Sequence, residues 1–327
     1  SYSKTKQKVV NSQTDIYINL SNLVKEKLEG DVDNYILSTG LTAAPIGQTE
    51  SKWVNVVTKF DDLGVEVPDF YYDDTFFVLD GYTQPGEEQG LIRPFTPGWP
   101  QRILMTDWYD RTYHYGAKAK IHFLAKGLVS IDAYPGGVFT PTPVSISFDT
   151  NWQDSDKYIQ AIDIDTTQEM YYAFNYGLSG EIVRTHVSDY DCKYQNFVVM
   201  FKNKWGVIES VCFNKKSSRS LTIENSEYLR SIVDYNGSFN VSRHTNKVYN
   251  TTGYEEWTLN TDWLPEYMNV PLQELMLSEE IWLFDGYTPV PINKADTSIT
   301  YKTQVNDKLI QYTMKFKLSH NTINNIL

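Results

Sequence analysis

Apolar and polar residues alternate along much of the chain with a period of two, the spacing of strands whose side chains point to opposite faces. The alternation predicts strands at Thr14–Leu20, Trp53–Phe60, Phe70–Leu79, Ala117–Phe123, Val144–Phe148, Tyr158–Ile164 and Ile182–Val187. Further strands are predicted at Phe197–Phe201, Val207–Phe213 and Leu221–Ile223, then at Lys247–Tyr249, Glu256–Leu259, Ile299–Gln304 and Leu309–Leu318. In Ala117–Phe123 the pattern puts Ala119, Ile121 and Phe123 on an inner face and Lys118, Lys120 and His122 on an outer one. Asn236-Gly237-Ser238 and Thr251-Thr252-Gly253 are turn clusters between strands.

Helical spacing is scarce. Ser21 is placed to cap a short helix through Leu28. A second helix is expected near 262–278, capped by Thr261 or Asp262, with Leu264, Met268, Leu272, Leu275 and Met276 as its apolar stripe. Pro271 is expected to kink or divide it, since proline lacks the amide donor. The predicted fold is therefore mainly β: two β-sandwich or β-barrel-like units with one or two short covering helices. The Pro-, Thr-, Ser- and Asp-rich stretch Thr140–Asp156 marks the expected boundary between an N-terminal β domain, 1–150, and a C-terminal β domain, 151–327.

Composition agrees with strands and turns. The 327 residues include 24 Tyr, 15 Phe and 8 Trp, and a chain of this length can bury a sizeable core without disulfides or metals. The net charge of −12 disfavours tight binding to nucleic-acid phosphates and leaves open a repelling wall that DNA slides past. Cys192 and Cys212 read as buried small side chains rather than a disulfide. No apolar run approaches membrane-spanning length, and the polar, basic Ser1–Val10 does not read as a secretory signal.

The tetrapeptide Asp-Gly-Tyr-Thr occurs twice, at 80–83 and 285–288, each time behind an apolar run. Downstream, Asp110, Arg111, Tyr115, Lys118 and Lys120 align without a gap on Asp307, Lys308, Tyr312, Lys315 and Lys317. A duplicated β-unit and coincidence both account for this, and duplication is the favoured reading. Asp-Gly suits a tight exit from a strand.

Catalytic candidates are paired carboxylates: Asp61-Asp62, Asp73-Asp74, Asp154/Asp156, Asp163/Asp165, Asp189/Asp191, Glu255-Glu256 and Glu279-Glu280. A glycosidase needs two such groups across a cleft, but most of these lie in turn-like contexts where Asp is expected for local hydrogen bonding. Asp149–Asp156 lacks the glycine and closing Glu of a calcium loop. His114, His122, His186, His244 and His320 show no metal-binding spacing, and no nucleophile elbow or phosphate loop is present. No catalytic, cofactor-binding or metal residue is assigned. Trp99, Trp108 and Trp152 are candidates for stacking on sugars, against core or interface roles.

From about Tyr194 the chain reads "YQNFVVMFKNKWGVIESVCFNKKSS", "EYLR", "HTNKVYNTTGYEEWTLNTDWLPEY", "ELMLSEEIWL", "PVPI" and "YKTQVNDKLIQYTMKFKLSHNTINN". Over residues 194–325 this resembles tail or connector ring proteins of tailed bacteriophages infecting Bacteroidetes, including crAss-like phages. The resemblance implies a non-enzymatic virion component, made in the bacterial host cytoplasm, that forms a ring in the tail or portal-to-tail connector. Its implied partners are copies of itself, neighbouring tail, portal or connector proteins, and DNA in passive transit. Asn203-Lys204-Trp205-Gly206 reads as a turn between strands with Trp205 packed beneath. The alternatives are a carbohydrate- or receptor-binding module and a tail-associated hydrolase.

Overall fold

The computed structural model describes residues 20, 24–25, 44–45, 51–62, 65–82, 104–125, 128–136, 143–150, 159–176, 179–188, 193–231, 233, 236–238, 241–284, 286, 288–296, 298 and 309–323. The protein is mainly β, with several sheets forming sandwich-like units and one short α-helix among the described residues. Two compact units emerge: residues 1–188 with 202–210, and residues 189–201 with 211–327.

The first unit carries β1 (Ala44–Pro45), β2 (Ser51–Asp62), β3 (Val65–Leu79), β4 (Asp110–His114), β5 (Lys120–Leu124), β6 (Ser130–Pro135), β7 (Val144–Ile146), β8 (Ile159–Asp163), β9 (Met170–Tyr176) and β10 (Ser179–Ser188). They form a sheet ordered β1-β8-β5, a sheet ordered β4-β10-β9-β6-β7, and the separate ribbon β2-β3. All pairings are antiparallel except β4 with β10. The two larger sheets share a core through Phe123 of β5, whose ring lies 5.5 Å from that of Phe174 in β9. Ile121, Ile131, Ile162, Tyr172 and Val183 complete its fully buried centre.

The expected boundary at Thr140–Asp156 falls inside this unit. β6 pairs with β7 on one side and with β9 on the other, so the sheet continues across the Pro- and Thr-rich stretch. The outer face assigned to β5 is also corrected. Lys118 is exposed, but Lys120 and His122 are buried. Lys120 stands directly opposite Asp163 in the β5–β8 ladder and forms an ion pair with it at 3.4 Å. A cross-strand partner of opposite charge is what lets a lysine leave water.

The second unit carries β11 (Phe197–Lys202), β12 (Ile208–Phe213), β13 (Ser218–Leu229), β14 (Asn246–Asn260), β15 (Leu264–Pro265), a 3-10 turn (Glu266–Met268), α1 (Asn269–Leu277), β16 (Ile281–Phe284), β17 (Pro289–Lys294), β18 (Leu309–Ile310), β19 (Thr313–Leu318) and β20 (Thr322–Ile323). The main sheet runs β12-β11-β16-β17-β19-β14-β13, with β20 beside β14; β15 and β18 pair separately.

The helix begins later than its sequence pattern predicted. Leu264 and Pro265 are drawn into a strand against Ile310 and Leu309. Thr261 serves that junction instead of capping: its amide donates to the Tyr312 carbonyl at 2.9 Å, and its hydroxyl accepts the Tyr312 amide at 2.9 Å. Pro271 does not divide the helix. It sits in the first turn of α1, where an amide needs no intrahelical acceptor. The helix is tied to the sheet by Lys294, which donates to the carbonyls of Met276 and Ser278, both at 2.7 Å. The predicted Ser21–Leu28 helix lies outside the described residues apart from Val24 and Lys25, which are helical.

Two further expectations change. Thr251-Thr252-Gly253 is not a turn: β14 runs straight through it. A side chain at Gly253 would meet Leu221 Cδ1 at 3.3 Å, so the glycine lets Leu221 lie across the neighbouring strand. Leu309–Leu318 is not one strand either, because Tyr312 turns its backbone to Thr261 and separates β18 from β19. The strands at Thr14–Leu20 and Ile299–Gln304 lie outside the described residues, Leu20 excepted.

Candidate functional site

The first Asp-Gly-Tyr-Thr segment meets the Asn-Lys-Trp-Gly turn, both within the first unit. Asp80 Oδ2 accepts a hydrogen bond from Lys202 Nζ at 2.7 Å. The Tyr82 amide donates to the Lys204 carbonyl at 2.9 Å. Two glycines permit this approach. A Cβ at Gly81 would lie 2.4 Å from the Lys204 carbonyl oxygen, and one at Gly206 would lie 2.7 Å from the Asp80 carbonyl carbon. Gly206 also has φ +80°, the left-handed region that glycine occupies without strain.

The turn itself is held from inside. The Asn203 side-chain oxygen accepts the amides of Trp205 and Val207 at 2.9 and 3.2 Å, and its Nδ2 donates to the Met105 carbonyl at 2.9 Å. Lys204 pairs with Asp107. Trp205 is buried beneath, as its place in the turn predicted. Asp80 is thus an architectural anchor rather than a free carboxylate.

Just beyond the turn, Glu209 of β12 reaches Arg111. Both are buried, and Arg111 Nη2 donates to Glu209 Oε1 at 3.0 Å. Arg111 also donates through Nε to the Trp108 carbonyl at 2.9 Å, and through Nη1 to Tyr113 Oη and the Lys120 carbonyl, each at 3.2 Å. Its guanidinium lies 4.9 Å from the centre of the Trp108 ring. A buried cation held by four acceptors and an aromatic face is satisfied, so its desolvation is offset. His122 lies in this region. Burial foremost, then the charges of Lys120 and Arg111, hold its imidazole down to about 3 from 6.5, so it is neutral at physiological pH.

The sequence candidates are distributed among structural tasks. Asp163 pairs with Lys120. Asp165 accepts the Thr167 amide at 2.9 Å and Gln168 Nε2 at 2.9 Å; burial works to raise its pKa, but the hydrogen bonds from Thr167 and Gln168 prevail and lower it. Glu255 pairs with Arg219, and Glu256 with Lys315 at 3.9 Å. Ser278 Oγ bonds the backbone carbonyl of Glu280 at 2.8 Å. Asp61-Asp62 and Asp73-Asp74 lie in β2 and β3; Asp154, Asp156, Asp189 and Asp191 lie outside the described residues. His114 is buried, whereas His244 and His320 are exposed, and His186 sits 3.6 Å from Glu169. Among the described residues, no group of three or more His, Cys, Asp or Glu is placed to hold a metal. Cys212 is buried in β12, and Cys192 lies outside the described residues.

Trp108 is a core residue, its ring 5.6 Å from that of Tyr113, and is not available to stack on a sugar. Trp99 and Trp152 lie outside the described residues. Lys202 and Glu209 were not singled out by motif, and Arg111 only through the aligned repeat. Their signal was a charged residue inside or at the end of an apolar strand, as in Ile208-Glu209-Ser210-Val211.

The second Asp-Gly-Tyr-Thr segment does not extend the duplication. Asp285 and Tyr287 lie outside the described residues. The preceding strands differ in partners: β3 pairs with β2, whereas β16 lies between β11 and β17. Of the aligned tyrosines, Tyr115 is exposed and Tyr312 buried. The two copies follow strands with different partners and do not share a strand order.

Among the described residues, β13 of the β13–β14 ribbon is exposed along nearly its whole length. Its ladder runs from Ser218 opposite Thr258 to Leu229 opposite Asn246, with a bulge between Ser226 and Glu227. Twelve residues of strand extend about 40 Å. β19 accompanies β14 at Glu256–Asn260 and β20 at Thr252–Gly253. Past that point, among the described residues, β13 and β14 have only each other. Leu221 and Ile223, on the flanked part of the ribbon, are 53% and 55% exposed, and Leu229, on the two-stranded part, is 78% exposed. Tyr228 and Tyr249 hold each other across the ribbon, their ring centres 6.2 Å apart. A two-stranded ribbon with its apolar residues in water is marginal unless something covers it.

No described helix is long and apolar enough to cross a membrane. No protein-family model matches the chain, and no curated protein matches it either.

Proposed function

We propose that the chain is a non-enzymatic structural component of a bacteriophage virion, one that assembles with copies of itself as a ring in the tail or portal-to-tail connector. The supporting observation is the β13–β14 ribbon: an open edge, exposed apolar side chains and two-stranded construction are features of a segment completed by another subunit. A contact between unlike surfaces of identical subunits closes into a ring when its rotation permits. The resemblance of residues 194–325 to phage tail and connector proteins supplies the setting. The net charge of −12 suits a lumen through which DNA passes without being held. Neighbouring tail, portal or connector proteins would meet the remaining loops. Peptide mass fingerprinting of purified particles, with a density map of the tail, tests the reading. Absence of the chain from intact virions overturns it.

A further inference from the structure

The main sheet of the second unit ends at β13, which among the described residues pairs with β14 alone. Natural edge strands carry lysines, prolines or a bulge that turn other strands away. β13 reads SRSLTIENSEYL, without lysine or proline, and the bulge in its ladder places the extra residue, Tyr249, in β14. Its outer edge is therefore regular, and it is exposed. One face carries Arg219, Leu221, Ile223, Asn225 and Glu227 in alternation. Ile223 stands opposite Gly253, so β14 sets no side chain directly beside it.

We propose that β13 pairs antiparallel with β13 of a second copy, continuing the sheet across a two-fold axis at Ile223. Residues opposite each other in such a pair share a face, and the two-fold keeps each residue on the same face in both copies. The axis therefore passes through a residue and not between two. The sequence of β13 selects which one. With Ile223 on the axis, Arg219 of each copy stands opposite Glu227 of the other, Ser220 opposite Ser226, and Leu221 opposite Asn225 and diagonal to Ile223. The two Ile223 side chains meet at the centre. An axis at Glu224 sets two carboxylates against each other, and an axis at Thr222 removes both Arg219–Glu227 pairs. Arg219 and Glu227 are both exposed, and the guanidinium keeps donors beyond the one given to Glu255. The inference goes beyond the ring reading and does not depend on it. A two-fold contact closes on itself as a pair, and ring closure stays with a further contact between unlike surfaces.

The test uses the full chain, with its mass followed by native mass spectrometry and sedimentation over a range of concentrations and the amide exchange of β13 read in parallel. The parent forms a pair, and its β13 amides exchange more slowly as the concentration rises. I223K sets two ammonium groups on the axis and raises the apparent Kd about 100-fold. E227R makes both charged pairs repulsive and raises it about 10-fold, as does R219E. An equimolar mixture of E227R and R219E chains pairs like the parent, because every 219–227 contact is again of opposite sign. Circular dichroism checks the fold of each chain. R219E gives up the bond to Glu255, so a cross-link tests the register without it: I223C joins two copies by a disulfide under oxidation that leaves the parent unlinked, and T222C, off the axis, does not. The proposal is overturned if the parent is monomeric throughout, or if it pairs while β13 exchange ignores concentration. It is equally overturned if I223K and E227R pair like the parent, if the folded E227R and R219E chains do not rescue each other, or if T222C links and I223C does not. The virion reading is judged separately, by the composition of purified phage.

Discussion

Asp80 and Lys202 are separated by 122 positions in the chain and meet at 2.7 Å. The pair explains why an Asp-Gly step ends β3. The aspartate anchors Lys202 at the start of the Asn203–Gly206 turn, and the glycine removes the Cβ that would strike the Lys204 carbonyl. Removing either should loosen the first unit without touching any reactive group. Asp80→Ala leaves a largely buried ammonium without its carboxylate, at a cost of about 3–5 kcal/mol. Gly206→Ala adds a clash with Asp80 and strain at positive φ, costing more than about 1 kcal/mol. Thermal unfolding checks both, at about 2–4 °C per kcal/mol for a unit of this size. An unchanged Tm in both variants would show that the anchor does not stabilise the fold.

Arg111 and Glu209 give a sharper test, because both are buried. Glu209→Gln or Arg111→Met alone should destabilise by about 3–5 kcal/mol, since each leaves a charge in the core. The double variant Arg111→Met/Glu209→Leu should lose less than the sum of the two. Denaturant melts of the four chains measure the coupling. Additive losses would mean the two groups do not act as a pair.

His122 sets a pH dependence. The unfolded chain takes up its proton near 6.5, whereas the folded protein resists until about 3. Stability from this group is therefore complete above pH 6.5 and falls as the pH drops from 6.5 towards 3, by at most about 1.4 kcal/mol per pH unit. His122→Gln should flatten the stability profile in that window. Parallel parent and variant profiles would exclude the histidine as the source.

Lys294 stitches β17 to the end of α1 through the Met276 and Ser278 carbonyls. Burial lowers its pKa, and Glu279 works in the opposite direction. Lys294→Met keeps the stem and removes the donors, so the helix terminus loses two charge-assisted bonds. A loss of about 1–3 kcal/mol is expected, together with faster amide exchange in α1 than in β11 and β12. Unaltered exchange would count against the lysine as the helix tether.

Most strands were legible because alternation is a local signal: side-chain direction reverses at every residue, whatever the strand pairs with. That is why Phe197–Phe201, Ile182–Val187 and the Asn203–Gly206 turn were identified in place. Partner choice is not local. Nothing within five residues of Lys120 announces that Asp163 will stand opposite, so its alternation read as an outer face. Nothing near Gly253 announces Leu221, so a glycine that admits a neighbour read as a turn. The chain by itself determined a mainly β protein with charged residues lodged in apolar strands. Only the tertiary structure decided that Asp80 belongs to Lys202, that Arg111 belongs to Glu209, and that β13 and β14 run on beyond their sheet. Those outcomes depend on desolvation and close approach between segments far apart in sequence, and such energies exist only once the segments have met.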